Sequence, residues 1–196
     1  MSRSILILAH GSGQPSDSPW MVSLAQALGE QGVECRRFNF EYMYRALAAR
    51  KPRPPSALPT LVEEYRKVLD SVVGVERVFV GGKSLGGRVA THLALSAPVC
   101  GVVAFGYPFH PPGKPEKLRS EHLSDIPCPV LICQGERDTF GKREEIPGYN
   151  LPPNLEFEWI PDGDHGFKPR KRTGETLEGN LDRAASAAAR FMLRDE

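Results

Sequence analysis

Val78-Phe79-Val80-Gly81-Gly82-Lys83-Ser84-Leu85-Gly86-Gly87-Arg88-Val89-Ala90 is the stretch on which the reading of this chain turns. Its first half is an apolar run suited to a buried strand, and its second half has the spacing of an amphipathic helix. Between them stands Gly-x-Ser-x-Gly. A serine held in so sharp a strand-to-helix turn projects its oxygen above the edge of a sheet, the nucleophile elbow of a serine hydrolase. Gly82 and Gly86 flank Ser84 because the turn brings neighbouring backbone too close for a Cβ. Gly82-Lys83-Ser84 also looks like the tail of a phosphate-binding loop, but that loop needs another glycine five positions earlier, where the chain has Arg77.

Working outward, short β-branched runs alternate with longer helical patterns, the signature of a parallel α/β sheet. Strands are expected at 4–8, 35–40, 77–81, 99–105, 130–134 and 155–160. Helices are expected at about 19–31, 58–73, 87–96 and 176–193, with a short helix ending near Leu123. The stretch from Tyr42 to Pro59, rich in proline and arginine, reads as an irregular exposed excursion. The length of 196 residues suits a single domain, 1–196. No insertion is long enough for a cap domain.

Composition narrows the function classes. A net charge of +1 gives no field for nucleic acid or for an acidic lipid surface. The apolar run from Ile5 to Ala9 is too short for a signal-peptide core or a membrane span, so a cytoplasmic protein is expected. Cys35, Cys100, Cys128 and Cys133 lack zinc-ligand spacing and read as buried free thiols, with no metal site.

An activated serine needs a base, and the base needs an orienting acid. In α/β-hydrolases they follow in the order Ser, acid, His, each beyond a later strand. The strand ending at Gln134 opens into Gly135-Glu136-Arg137-Asp138, and the strand ending at Ile160 opens into Pro161-Asp162-Gly163-Asp164-His165-Gly166-Phe167. His165 is therefore the candidate base. Asp138 is the leading candidate acid, with Glu136, Asp162 and Asp164 as competitors. Two backbone N–H donors are needed for the developing oxyanion: one from Leu85, the other from His10-Gly11-Ser12-Gly13, at Ser12. A dinucleotide fingerprint in that loop fails at its third glycine position, which is Ser16. His10 is expected to brace the loop. Lys83 could bind an anionic substrate group, hold a loop through its ammonium, or point to solvent. Loop position makes Leu85, Phe109, Phe140 and Phe167 candidate walls of the substrate site.

These residues resemble small bacterial α/β-hydrolase proteins of the dienelactone-hydrolase-like kind, and are similar to the hydrolase-like domain in a subunit of the eukaryotic NSL chromatin complex. The resemblance runs through His10 to Gly13, Asp17 to Pro19, Gly81 to Ala90, Gly106 to Leu123, Gly135 to Asp138 and Asp162 to Arg172. It implies a minimal α/β-hydrolase fold of about six mainly parallel strands, lacking the first two strands of the larger fold. It also implies a Ser84–Asp138–His165 triad. The expected activity is hydrolysis of a small-molecule carboxylic ester or thioester without a cofactor. The alternative is a binding or scaffold module that keeps the fold without turnover.

Overall fold

The computed structural model describes residues 3–194, so the first two and last two residues of the expected 1–196 domain lie outside the described residues. Six strands form one sheet: β1 (Ser4–Ala9), β2 (Glu34–Phe38), β3 (Arg77–Lys83), β4 (Gly101–Phe105), β5 (Val130–Gly135) and β6 (Leu155–Ile160). Their order is β2-β1-β3-β4-β5-β6, and every neighbouring pair is parallel. The order reverses at β1, and in open parallel sheets a ligand crevice forms beyond the carboxyl ends near such a switch.

Five α-helices cover the sheet: α1 (Pro19–Glu30), α2 (Glu41–Ala49), α3 (Leu58–Asp70), α4 (Leu85–Leu93) and α5 (Leu177–Leu193). Alternate strand residues divide between two cores, as the two-residue period of a strand requires. Ile7, Val80, Val102 and Ile132 pack with Leu61, Tyr65 and Val89 of α3 and α4. Leu6, Phe79, Val103 and Leu131 pack on the other face with Leu24 of α1 and Leu181 and Phe191 of α5. The architecture is the expected minimal α/β-hydrolase fold, with no cap over the sheet among the described residues.

The irregular stretch expected from Tyr42 to Pro59 needs correction, because it opens with helix α2. Phe40 supplies its extended N-cap, and Arg50 closes it in the left-handed region (φ 50°). Only Tyr42 and Met43 of this helix are buried, which leaves its apolar periodicity faint in the sequence. Only the prolines that follow are irregular. The cysteines also differ from expectation: Cys133 is buried and Cys35 and Cys128 are partly so, but Cys100 is exposed. Among the described residues no helix is long and apolar enough to cross a membrane.

The turn at Ser84 is built on absent side chains. A Cβ on Gly82 would lie 2.5 Å from the Gly86 carbonyl carbon, and one on Gly86 would lie 2.5 Å from the Ala9 carbonyl oxygen. With both glycines in place the elbow closes against the end of β1. Ser84 sits at φ 51° and ψ −112°, a costly backbone conformation for a residue with a side chain. Beneath the turn, the fully buried Tyr65 hydroxyl shares its one proton between the carbonyls of Ile7 (2.6 Å) and Gly81 (2.8 Å) and accepts from the Gly81 N–H (2.9 Å).

Candidate active site

Ser84, His165 and Asp138 stand in one hydrogen-bonded line at the carboxyl edge of the sheet. His165 Nε2 is 2.8 Å from Ser84 Oγ, and His165 Nδ1 is 2.8 Å from Asp138 Oδ2. A carboxylate only accepts, so Nδ1 carries the imidazole proton and Nε2 is left to accept from the serine hydroxyl. Burial pulls His165 below the ordinary histidine value; the bond to Asp138 opposes this, and the Lys83 charge adds to it. The imidazole is therefore neutral at pH 7, the form in which it can take a proton.

Asp138 is fully buried and held on both oxygens. Oδ1 accepts from the Phe140 N–H (2.9 Å), and Oδ2 accepts from Gln134 Nε2 (3.0 Å). Gln134 is itself buried in β5, and its Oε1 accepts from the Tyr107 N–H at 2.8 Å. The three competing carboxylates have other partners. Asp162 pairs with Arg170 and Arg137, and the Arg170 hydrogen bond leads in drawing its pKa down to about 2. Asp164 accepts from the N–H groups of Gly166 and Lys168, and Glu136 pairs with Arg143.

The loop carrying His165 is immobilised by three successive carbonyls. Lys83 Nζ donates to the oxygen of His165, Trp20 Nε1 to that of Gly166 (2.8 Å) and Asn180 Nδ2 to that of Phe167 (2.8 Å). The donors come from β3, α1 and α5, so the sheet and the two helices packed on one of its faces fix the position of one imidazole. The Lys83 ammonium also lies 5.4 Å from the Trp20 ring and 5.7 Å from the Phe167 ring, within cation–π range. Burial lowers its pKa to about 8, against the pull of Asp138 and Asp164. Of the three roles open to Lys83, its bond to the His165 carbonyl fits the holding of a loop, and its side chain also lines the cleft.

A cleft of about 630 Å³ opens above Ser84. Ser12 and Leu85 both line it. Leu85 is the first residue of α4, so its N–H has no acceptor inside the helix. The loop at Ser12 is fixed from below. His10 Nε2 accepts from the Phe40 N–H (3.2 Å), which places the ring proton on Nδ1, facing the Gly11 carbonyl. Tyr42 of α2 donates its hydroxyl to the Ser12 carbonyl at 3.1 Å.

Two expected wall residues are corrected. Phe109 is fully buried, packed against Tyr107 and Tyr149 below the cleft, and Phe167 is fully buried against Trp20. Each follows a loop position that faces the site, but each ring turns into the core, where its burial stabilises the fold. Phe140 does line the cleft, its ring 4.2 Å from that of His165. Trp20, Gln134 and Asn180 were missed in the sequence. Gln134 carried a usable signal, as a polar residue ending an otherwise apolar buried strand.

The family model for an alpha/beta hydrolase domain matches residues 2–193. The chain is structurally similar to Est1E from Butyrivibrio proteoclasticus, with a TM-score of 0.69, 17% identity, and 98% of this chain and 88% of that one covered. It is similar to a dienelactone hydrolase from Anabaena variabilis (TM-score 0.66, 21% identity, 98% and 88% covered). It is also similar to XC6422 from Xanthomonas campestris, an α/β serine hydrolase without a lid (TM-score 0.65, 17% identity, 100% and 86% covered). At these identities the neighbours speak for the fold.

Proposed function

We propose, from the premise that this chain belongs to the alpha/beta hydrolase family, that it is a serine hydrolase of carboxylic esters or thioesters. The observation that carries the reading is the unbroken line from Ser84 Oγ through His165 to the doubly held Asp138 carboxylate. Ser84 Oγ bonds to the carbonyl carbon while its proton passes to His165 Nε2. The tetrahedral oxyanion is received by the N–H groups of Ser12 and Leu85. As the carbon–oxygen or carbon–sulfur bond breaks, Nε2 returns the proton to the leaving group. Water then attacks the acyl-enzyme by the same route, its proton going to Nε2 and back to Ser84, which frees the carboxylic acid.

Asp138 orients the imidazole and stabilises its cationic form. Among the described residues no cap lies over the cleft, which suits small or protruding acyl groups, with Leu85 and Phe140 as apolar walls. A cytoplasmic setting, with a small-molecule substrate as partner, belongs to the same proposal.

The test is labelling of the intact chain with a fluorophosphonate, mapped by mass spectrometry, beside Ser84→Ala and His165→Ala. An adduct on Ser84 that is absent in both variants supports the reading and directs a screen of short esters and thioesters. Absence of an adduct on folded wild type overturns it in favour of a binding module.

A further inference from the structure

We infer that Arg88 and Arg119 form an anion subsite in the cleft, and that the substrate bears a carboxylate or phosphate near its scissile carbonyl. The word substrate rests on the hydrolase reading above; the site itself does not.

Arg88 stands four residues after Ser84, at the start of α4, so its side chain rises on the face of the helix that carries the serine. Arg119 reaches the same cleft from the loop after β4, its backbone pinned by an N–H bond to the Phe109 carbonyl (2.7 Å) and a Tyr107 hydroxyl bond to its own carbonyl (2.8 Å). Both residues are partly buried. Elsewhere on the chain, arginines such as Arg143 and Arg194 meet carboxylates. Among the described residues neither Arg88 nor Arg119 has a side-chain partner, and Arg88 Nε is buried with none.

Among the described residues no Asp or Glu lines the cleft. Burial lowers the Arg88 pKa, only the Tyr107 phenol opposes that, and Arg119 repels it further. Behind Arg88 the rings of His92 and His122 stack at 3.6 Å, and burial together with neighbouring positive charge holds both near 4, so they are neutral at pH 7. The third cation of the cleft, Lys83, is committed to the His165 carbonyl. Two unmatched guanidiniums in a low-dielectric wall are costly alone and are relieved by an anion. A planar fork takes a carboxylate or phosphate with two parallel bonds.

The experiment compares phenyl acetate with 4-acetoxybenzoate and 4-acetoxyphenyl phosphate, and 4-nitrophenyl butyrate with 4-nitrophenyl hemiglutarate. These pairs separate carboxylate from phosphate, and leaving-group from acyl placement. In wild type at least one anionic ester should exceed its neutral counterpart in kcat/KM by on the order of tenfold. Arg88→Gln and Arg119→Gln should each reduce that ratio by about the same factor. Fluorophosphonate labelling of Ser84 reports whether each variant has an assembled site, and Arg119→Gln carries the test should Arg88→Gln fail to fold. Calorimetric titration with benzoate and phenyl phosphate reads the subsite without turnover. Binding that weakens about tenfold in Arg119→Gln supports it even if no ester is cleaved. Neutral esters preferred throughout, or ratios and binding unmoved by either substitution, overturn it while leaving the hydrolase reading intact.

Discussion

Lys83 donates a hydrogen bond from its ammonium to the carbonyl oxygen of His165, tying the residue before Ser84 to the residue whose imidazole lies 2.8 Å from the Ser84 hydroxyl. The two are 82 positions apart, and β4 and β5 lie between their strands in the sheet. The side chain crosses above Gly106, which takes φ +69°, and there a Cβ would lie 2.8 Å from Nζ and 3.1 Å from the His165 oxygen. A buried ammonium costs free energy, and here it secures the position of the His165 imidazole. The elbow, the Gly106 turn and the His165 loop thus form one mechanical unit.

The pH dependence follows from this unit. His165 must be neutral to act, and its pKa lies below the ordinary 6.5, so activity should rise on an acid limb below that value and be complete by neutrality. Lys83 loses its proton near 8, exchanging a charge-assisted bond for a weaker neutral one. A rate profile for a short ester should therefore drop several-fold to a lower plateau above pH 8. Lys83→Met should have a lower kcat at pH 7 and no step near 8; a step that survives the substitution assigns it to another group.

Asp138→Asn should keep the fold and lose the chemistry. An amide facing Nδ1 favours the wrong tautomer, and kcat should fall by roughly 10³–10⁴-fold, with KM much less affected. Circular dichroism and single-turnover kinetics check both halves. Asp164→Asn, which keeps an oxygen to accept from the Gly166 and Lys168 N–H groups and removes only a charge, should show no comparable loss in kcat.

Glycines at the elbow and elsewhere should respond in opposite senses. Gly82→Ala forces a methyl to within 2.5 Å of backbone and should cost about 3 kcal/mol or more, or prevent folding. Gly29→Ala, in the last turn of α1 with nothing within 4 Å of its Cβ, should gain about 0.5–1 kcal/mol. Urea titration of both variants reads the contrast.

Tyr65→Phe isolates the support beneath the elbow. It leaves the Gly81 N–H and the carbonyls of Ile7 and Gly81 without the hydroxyl that served all three. Stability should drop by about 1–3 kcal/mol with little change in packed volume. The same variant should label more slowly with a fluorophosphonate if the elbow depends on that hydroxyl.

Much of this was legible in the sequence because the signals were local. The elbow announces itself in consecutive residues, and Asp138 and His165 follow from their places after the fifth and sixth strands. What was illegible depends on side-chain direction across long separations. Nothing local says that Trp20, Lys83 and Asn180 converge on three adjacent carbonyls, or that Phe109 and Phe167 turn inward. Helix α2 is hidden for a different reason: its exposed face carries Tyr44 and Leu47 as well as charged residues, so apolar positions do not mark one face, and a proline run follows it.

Phe109 and Phe140 turn that distinction into a measurement. Phe109 fills a fully buried space, so Phe109→Ala should cost about 3–5 kcal/mol in stability. Where it folds, KM should stay near that of wild type. Phe140 lies against His165 on the cleft wall, and its side chain contributes little to the core. Phe140→Ala should therefore leave Tm almost unchanged while kcat/KM falls by on the order of tenfold, through a looser imidazole and lost apolar contact with the acyl group. Thermal melts and ester kinetics on the two variants would separate a core ring from a site ring. If Phe109→Ala instead raised KM at unchanged Tm, the cleft would extend beneath the loop at 106–120, and the wall assignment would have to be reversed.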